Sequence, residues 1–501
     1  ILVLLMRRNK RVFTYEEAFK ASLDYFNQDD LAAKVFIDKY ALRDNEGNLV
    51  ESTPTEMHYR IAREFARIEK DKYDARSYIN NEDELVCKFK HALGEDFIFS
   101  LLDKFKYIIP QGSPMQGIGN PYQYVSLSNC YLLEIPEDSY SSIMKTDEQL
   151  VQISKRRGGV GIDLSKIRPA GFPTKNSSRT STGIIPFAER YSNSIREVGQ
   201  NARPGALMLT LDVHHPQVLD FAKCKLDKTK VTGANISIRI SKEFLNAVEN
   251  KTDYESRFPV NSKNPTYSKK IDANYVWDEI IKMAHASAEP GLLMWNNITE
   301  QTPADCYERF KSQGTNPCSE INLSPLDSCR LLCLNLYSYV KNPFTKDSYF
   351  DFDLFKKHAI IAQRLMDDLV DLESECIDRI LGKIDRDPED LETKSREKEL
   401  WQKIKVFNDE GRRTGTGITA IGDCLAALNI KYGSEESIEK TEEIYKTLKL
   451  ACYRSSVEMS KLLGPFKDWD PELEKNSQFL KRIKKEDKVL GNHRSHGHYL
   501  A

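Results

Sequence analysis

Residues 314–336 read GTNPCSEINLSPLDSCRLLCLNL, which crowds Cys318, Cys329 and Cys333 together in a chain that otherwise spreads its cysteines thinly. Cys-x10-Cys-x3-Cys is not the paired C-x2-C spacing of structural zinc, and no His cluster lies nearby. A disulfide staple for a small secreted domain fits as poorly, because the chain has 501 residues and opens without a secretory signal. Asn316 and Glu320 flank the first thiol, and Pro317 constrains the loop before it. A carboxylate two places from a thiol can move a proton, but from the residues alone a buried structural cysteine weighs as much as a chemical one.

The sequence on either side sets the fold class. From about residue 108, short apolar runs are divided by Gly and Pro: YIIPQGSPMQG, YVSLSNCYLLEI, GGVGIDLSKIRPAG, GALMLTLDV and GANISIRI. They alternate with helical stretches such as DEQLVQISKR and HPQVLDFAKCK, which predicts an α/β domain with parallel strands. Upstream, FTYEEAFKASLDYFN and TPTEMHYRIAREFARIEK carry apolar residues at i, i+3, i+4 behind Thr or Pro start signals. The parse is a helical N-terminal region over 1–105, one dominant domain over 106–480 and a polar basic tail over 481–501. Within the domain, residues 352–404 are expected to be mostly helix and highly charged, with DRDPEDLETKSREKELWQK a solvated insertion, and GRRTGTGITAIGDCLAALNI a Gly-rich turn followed by an amphipathic helix.

Composition excludes little but consistently. Forty per cent apolar and 30 per cent charged residues are ordinary for a soluble globular protein, and a net charge of −2 gives no footprint for nucleic acid or membrane. Ten cysteines without a signal peptide point to a reducing, cytoplasmic setting. ILVLLMRRNK reverses the order of a signal peptide and is too short to span a bilayer; Ile1 to Leu5 read as upstream sequence or a fragment edge, with Met6 the start.

Other candidates are weaker singly. Gly158, Gly159 and Gly161 could let backbone amides approach a phosphate or ribose, although their spacing is not G-x-G-x-x-G. Arg168, Lys175, Arg179 and Arg203 stud Ser/Thr/Gly-rich loops and together suit a triphosphate. Cys130 lies in the strand-like run SLSNCYLLEI, and two cysteines remote in sequence can act as a redox couple where a fold joins them, which spacing leaves open.

Taken in order, SLSNC, EDSYSSI, KRRGGVGIDLSKIRPAG, GANISIRI, AEPGLLMWN, NPCSEI with DSCRLLCLNL, and GRRTGTGITAIGDCLAAL resemble the large subunit of ribonucleotide reductases, from about residue 40 to about 480. The resemblance implies a ten-stranded α/β barrel, two antiparallel halves of five parallel strands, with a finger loop through its centre. It implies reduction of ribonucleotides, as diphosphates, to deoxyribonucleotides. By motif, Cys318 would hold a transient thiyl radical and Glu320 would act as base at the 3′-hydroxyl. Asn316 would hold a substrate hydroxyl, and Cys130 with Cys329 would be the reducing pair. Ser113, Asn129, Gly159, Pro317 and Ser319 would contact substrate. Asp138, Arg168 and Lys175 would bind a dNTP or ATP effector, with Arg203 in the adjoining loop. Cys333 is left structural, and no metal ligand set is assigned.

The NPC motif, the lack of an evident N-terminal ATP-binding cone and DSCRLLCLNLYSYV look most like the adenosylcobalamin-dependent enzymes. The alternatives are a catalytic subunit whose radical comes from a separate diiron or dimanganese subunit, and a nucleotide-binding relative without turnover. Implied partners are a thioredoxin- or glutaredoxin-like reductant and a second copy in a homodimer, with neither nucleic acid nor membrane. The family's phosphate loop, last strands and shuttle-cysteine tail are expected beyond where this sequence stops. The chain is therefore read as missing its last strands, by truncation, by a split completed by a second chain, or by a frameshifted, non-native KKEDKVLGNHRSHGHYLA, and as weakly active alone.

Overall fold

The computed structural model describes residues 12–198, 205–486 and 498–499; the start at Ile1 to Met6, Arg203 and most of the tail after Glu486 lie outside the described residues. The N-terminal region packs helices Tyr15–Tyr25, Asp30–Lys39, α1 (Pro54–Lys72) and Glu95–Leu102. α1 begins where Thr53 and Glu56 form a capping box ahead of Pro54, and it buries Met57, Ile61, Phe65 and Ile68 along one face. A short parallel strand pair, Asp74–Ile79 with His91–Leu93, interrupts the helices and was not anticipated.

The large domain holds two sheets. β1 (Ile108–Pro110) comes first and belongs to the second of them. β2 (Cys130–Leu132), β3 (Gly159–Asp163), β4 (Leu207–Asp212), β5 (Asn235–Ile240) and β6 (Gly291–Met294) then lie parallel in the order β6-β5-β4-β3-β2. Between β2 and β3 runs α2 (Tyr140–Ser154). Leu207, Leu209 and Leu211 of β4 and Ile236, Ile238 and Ile240 of β5 enter the core under the helices, so the intervening residues face the opposite way.

A two-residue-by-two-residue hairpin, β7 (Gly314–Thr315) and β8 (Asn322–Leu323), follows, and then β9 (Ser328–Cys329) and β10 (Leu331–Asn335), separated by Arg330 alone. β9 pairs antiparallel with β2, while β10 pairs with β1 and runs parallel to β11 (Thr414–Thr419). One stretch of eight residues therefore passes from the first sheet into the second and fixes their opposite polarity. β12 (His498–Tyr499) pairs parallel with β11. The five parallel strands match one expected half of the barrel. Among the described residues the second sheet has four strands, and the two do not close a barrel.

α3 (Phe352–Arg386) backs both sheets: Phe355 to Leu372 join the core under the second, and Ile377, Ile380 and Ile384 that under the first. Arg364 of α3 is fully buried against Glu69 of α1 at 2.7 Å and 2.5 Å and donates to the carbonyls of Phe89 and His91, which clamps the N-terminal region to the domain. Two local readings need correcting. The supposed solvated insertion belongs largely to α4 (Leu391–Gly411), whose charged face hides a buried stripe of Leu400, Trp401 and Ile404. The supposed Gly-rich turn is strand β11, where small residues let it pass close to its neighbour.

The hairpin needs glycines beneath it. A Cβ on Gly161 would collide with the Thr315 carbonyl oxygen, and one on Gly159 would come 2.7 Å from Pro317 Cγ. Gly161→Ala is expected to unseat the hairpin and destabilise the chain by about 1–3 kcal/mol. Gly422→Ala, into open space in the helix Ile421–Ala427, should be neutral or stabilising by up to about 1 kcal/mol. Urea midpoints of the two variants check the contrast.

Candidate active site

The hairpin tip is the NPCSEI stretch. Asn316 N–H donates to the Ile321 carbonyl at 3.0 Å, and Asn316 Oδ1 accepts from Ile321 N–H at 3.1 Å, closing a six-residue loop. Ser319 turns the chain with a φ of 70°. Asn316 and Pro317 are buried while Cys318 and Glu320 are exposed.

Cys130 on β2 and Cys329 on β9 are register partners across the antiparallel pair, and both are buried. Asn316 Nδ2 donates to Cys130 Sγ at 3.2 Å, tying the loop to the pair. Burial pushes the Cys130 thiol well above its ordinary range; the Glu320 carboxylate, Cys329 and Cys318 add to that rise, while the Asn316 bond opposes it. Burial likewise lifts Cys329 to about 12, with Arg330 and Arg413 pulling it down and Asp327 and Glu320 pushing it up. No disulfide joins any of the cysteines among the described residues.

The substrate candidates sit against the same place. Ser113 N–H donates to Asn129 Oδ1 at 2.9 Å, and Ser113 Oγ to the Arg157 carbonyl at 3.3 Å. Asn129 Nδ2 is buried without a hydrogen-bond partner. Gly159 N–H is taken by the Asn129 carbonyl at 2.8 Å, so its visible work is in the ladder and under Pro317. The Pro317 carbonyl accepts from Asn235 Nδ2 at 3.3 Å, and Ser319 Oγ lies 3.4 Å from Ser237 Oγ. Cys333, four residues along from Cys329, accepts from Gln111 Nε2 at 3.2 Å, and burial raises its thiol to about 11.

Several contributors escaped the sequence reading. Asn235, Ser237 and Arg239 are the alternate residues of β5 that face the hairpin; Arg239 donates to the Gln313 carbonyl at 3.1 Å and pairs with Asp163 at 3.2 Å, holding the hairpin's base. Their polar-apolar alternation in NISIRI was the available signal. Asp327 pairs with Arg413 at 2.6 Å and accepts from Ser328 N–H at 2.8 Å, fixing the approach to β9. No local pattern announces that contact, which spans 86 residues.

Three of the effector candidates, Asp138, Arg168 and Lys175, line one separate cleft. A cleft of about 560 Å³ between the start of α2 and the loop after Ile167 is lined by Asp138, Arg168 and Lys175 with several Ser and Thr residues. Arg168 Nε reaches Asp138 Oδ2 at 2.6 Å and its backbone N–H reaches Oδ1 at 3.1 Å. Among the described residues no group of three or more His, Cys, Asp or Glu is arranged to hold a metal ion, and no helix is long and apolar enough to cross a membrane.

Comparison with known proteins shows the family of the chain. Residues 26–100 match the family model of the ribonucleotide reductase all-alpha domain, and residues 128–498 that of the ribonucleotide reductase barrel domain. Proteins named vitamin B12-dependent ribonucleoside-diphosphate reductase are similar at 28% identity in Mycobacterium tuberculosis, over 87% of this chain and 56% of theirs, and at 24% in Thermoplasma acidophilum, over 93% and 61%. A Caenorhabditis elegans ribonucleoside-diphosphate reductase large subunit is 23% identical over 69% of this chain and 44% of its own. The chain thus spans a little over half the length of the first two. With the barrel-domain match alone covering most of its residues, the chain belongs to the ribonucleotide reductase large-subunit family.

Proposed function

We propose that the protein reduces ribonucleoside diphosphates to deoxyribonucleotides by radical chemistry begun at Cys318. The observation that carries this reading is the convergence of an exposed thiol, a carboxylate and a sealed cross-strand thiol pair: Cys318 and Glu320 sit on the loop whose Asn316 is bonded to Cys130, and Cys130 stands opposite Cys329. A pure nucleotide-binding relative has no use for that trio.

The division of labour follows from burial. Cys318, as a thiyl, takes the ribose 3′-hydrogen, and Glu320 takes the proton of the 3′-hydroxyl so that the 2′-hydroxyl leaves as water. Cys130 and Cys329 give up two electrons and two protons and end as a disulfide, which balances one ribonucleotide to one deoxyribonucleotide and one water. High thiol pKa values suit this role, because both sulfurs keep their hydrogens at neutral pH. Asn316 holds the loop to Cys130, and the unpartnered Asn129 Nδ2 is a donor waiting for a ligand oxygen. The cleft around Asp138, Arg168 and Lys175 is the effector site of this reading. A dithiol reductant and a second copy of the chain complete the expected partners.

The relatives named vitamin B12-dependent imply a cobalamin. The hairpin tip around Cys318 is exposed where the reducing pair is sealed, so a radical source could reach the first thiol from outside. When bound there, the cofactor supplies the one-electron chemistry that starts the reaction.

Two outcomes are expected. Incubated anaerobically with adenosylcobalamin, a ribonucleoside diphosphate, a deoxynucleotide effector and dithiothreitol, the protein forms deoxynucleotide, and Cys318→Ala forms none. Product that ignores Cys318 would sink the assignment, and product only after adding a metal-radical subunit would move it to the two-subunit class. Separately, at pH 8 iodoacetamide should label Cys318 at least about 100-fold faster than Cys130 or Cys329, whose thiolate fractions are small. Equal rates would contradict the sealed pair.

A further inference from the structure

Strands β2 and β9 have three and two residues, too few backbone bonds to hold a register against thermal motion, yet a disulfide tolerates Cβ separations of only about 3.5–4.5 Å. Something else must hold Cys130 opposite Cys329. Behind β2 lies Glu373 of α3, fully buried. Its Oε1 accepts from Ser126 Oγ at 2.6 Å, Ser128 Oγ at 3.0 Å and Tyr131 OH at 3.2 Å, and its Oε2 from Leu127 N–H at 2.5 Å. Four donors on both sides of Cys130 thus converge on one carboxylate from a segment some 240 residues away. The grip extends to the other strand. Ser328 Oγ lies 3.3 Å from Ser128 Oγ, and Arg330, whose charge acts on Glu373, donates to the Ser328 carbonyl at 2.9 Å and to Asn408 Oδ1.

We propose that Glu373 is a positioning residue for the reducing pair: by gathering the SLSNC backbone and hydroxyls onto α3, it sets the register of Cys130 against Cys329 and thereby the ease with which the two thiols become a disulfide. It touches neither thiol nor substrate. The inference rests on the reading of Cys130 and Cys329 as a redox pair, and it asks more, namely that their dithiol–disulfide equilibrium is governed from α3. The oxidation balances as two thiols giving two electrons and two protons to oxidised dithiothreitol, which becomes the reduced dithiol.

The test equilibrates the full chain with mixtures of reduced and oxidised dithiothreitol, quenches in acid, alkylates and quantifies the Cys130–Cys329 disulfide by peptide mass spectrometry. Glu373→Gln keeps the size but turns an amide donor toward hydroxyl donors, and is expected to move the equilibrium at least tenfold toward the dithiol, which is about 30 mV. Ser128→Ala removes one donor, keeps the charge and should move it about threefold in the same direction. Glu375→Gln, on the exposed side of the same helix against Arg67, should move it less than twofold. Glu373→Asp should recover part of the loss, which a general fall in stability would not produce. An equilibrium unchanged within twofold in Ser128→Ala and in whichever of Glu373→Gln and Glu373→Asp folds, or a shift toward the disulfide, overturns the inference. Absence of the disulfide from the unaltered chain under oxidising mixtures would instead overturn the redox-pair reading beneath it.

Discussion

Everything at this site depends on how eight residues, Ser328 to Asn335, cross from one sheet to the other. In the first sheet the stretch runs against β2 and sets Cys329 opposite Cys130; in the second it runs between β1 and β11. A slip of one residue would turn Cys329 to the other face and reverse the alternation of Leu332 and Leu334, which lie in the core beneath. Because β9 itself is so short, buried ionic groups enforce the register: Asp327 with Arg413 before it, and Arg330 with Ser328 and Asn408 after it. Breaking a buried pair by removing one partner typically costs about 3–5 kcal/mol, so these contacts specify as much as they stabilise.

The second constraint is space. The hairpin can lie over the first sheet only because β3 presents glycines to it and β5 presents short polar side chains. That seating carries Cys318 and Glu320 out to the exposed tip while Asn316 stays below, bonded to Cys130. One loop therefore links an accessible thiol, Cys318, to a sealed pair of thiols, Cys130 and Cys329. The same burial that shields Cys130 and Cys329 keeps them protonated, which suits sulfur that must deliver hydrogen rather than attack as thiolate.

Much of the first sheet was legible in the sequence, because GALMLTLDV and GANISIRI are apolar at every second position and end at clear turn signals. The helix carrying Trp401 was expected as a helix but not as part of the core, since its exposed residues are charged and its apolar mark is a narrow buried stripe of Leu400, Trp401 and Ile404. β11 was read as a turn because glycines that signal bends also permit close strand packing. At the site, Cys318, Glu320 and Asn316 were within reach of reading since they share six residues, whereas the meeting of Cys130 with Cys329 is a property of the fold that spacing cannot carry. Glu373 and Arg413 were invisible for the same reason: each acts across a contact of 86 residues or more. The alternating Asn235, Ser237 and Arg239 were readable but lay in a run taken simply as a strand of the domain.

The central claim is that one substrate is served from above by Cys318 and from below by Cys130 with Cys329. The direct test is a single turnover of the pre-reduced protein with ribonucleotide and radical source but no external reductant, followed by disulfide mapping. The account predicts one Cys130–Cys329 disulfide for each deoxynucleotide formed, with Cys318 recovered as a thiol. Deoxynucleotide formed while Cys130 and Cys329 remain reduced, or a disulfide that includes Cys318, would contradict it.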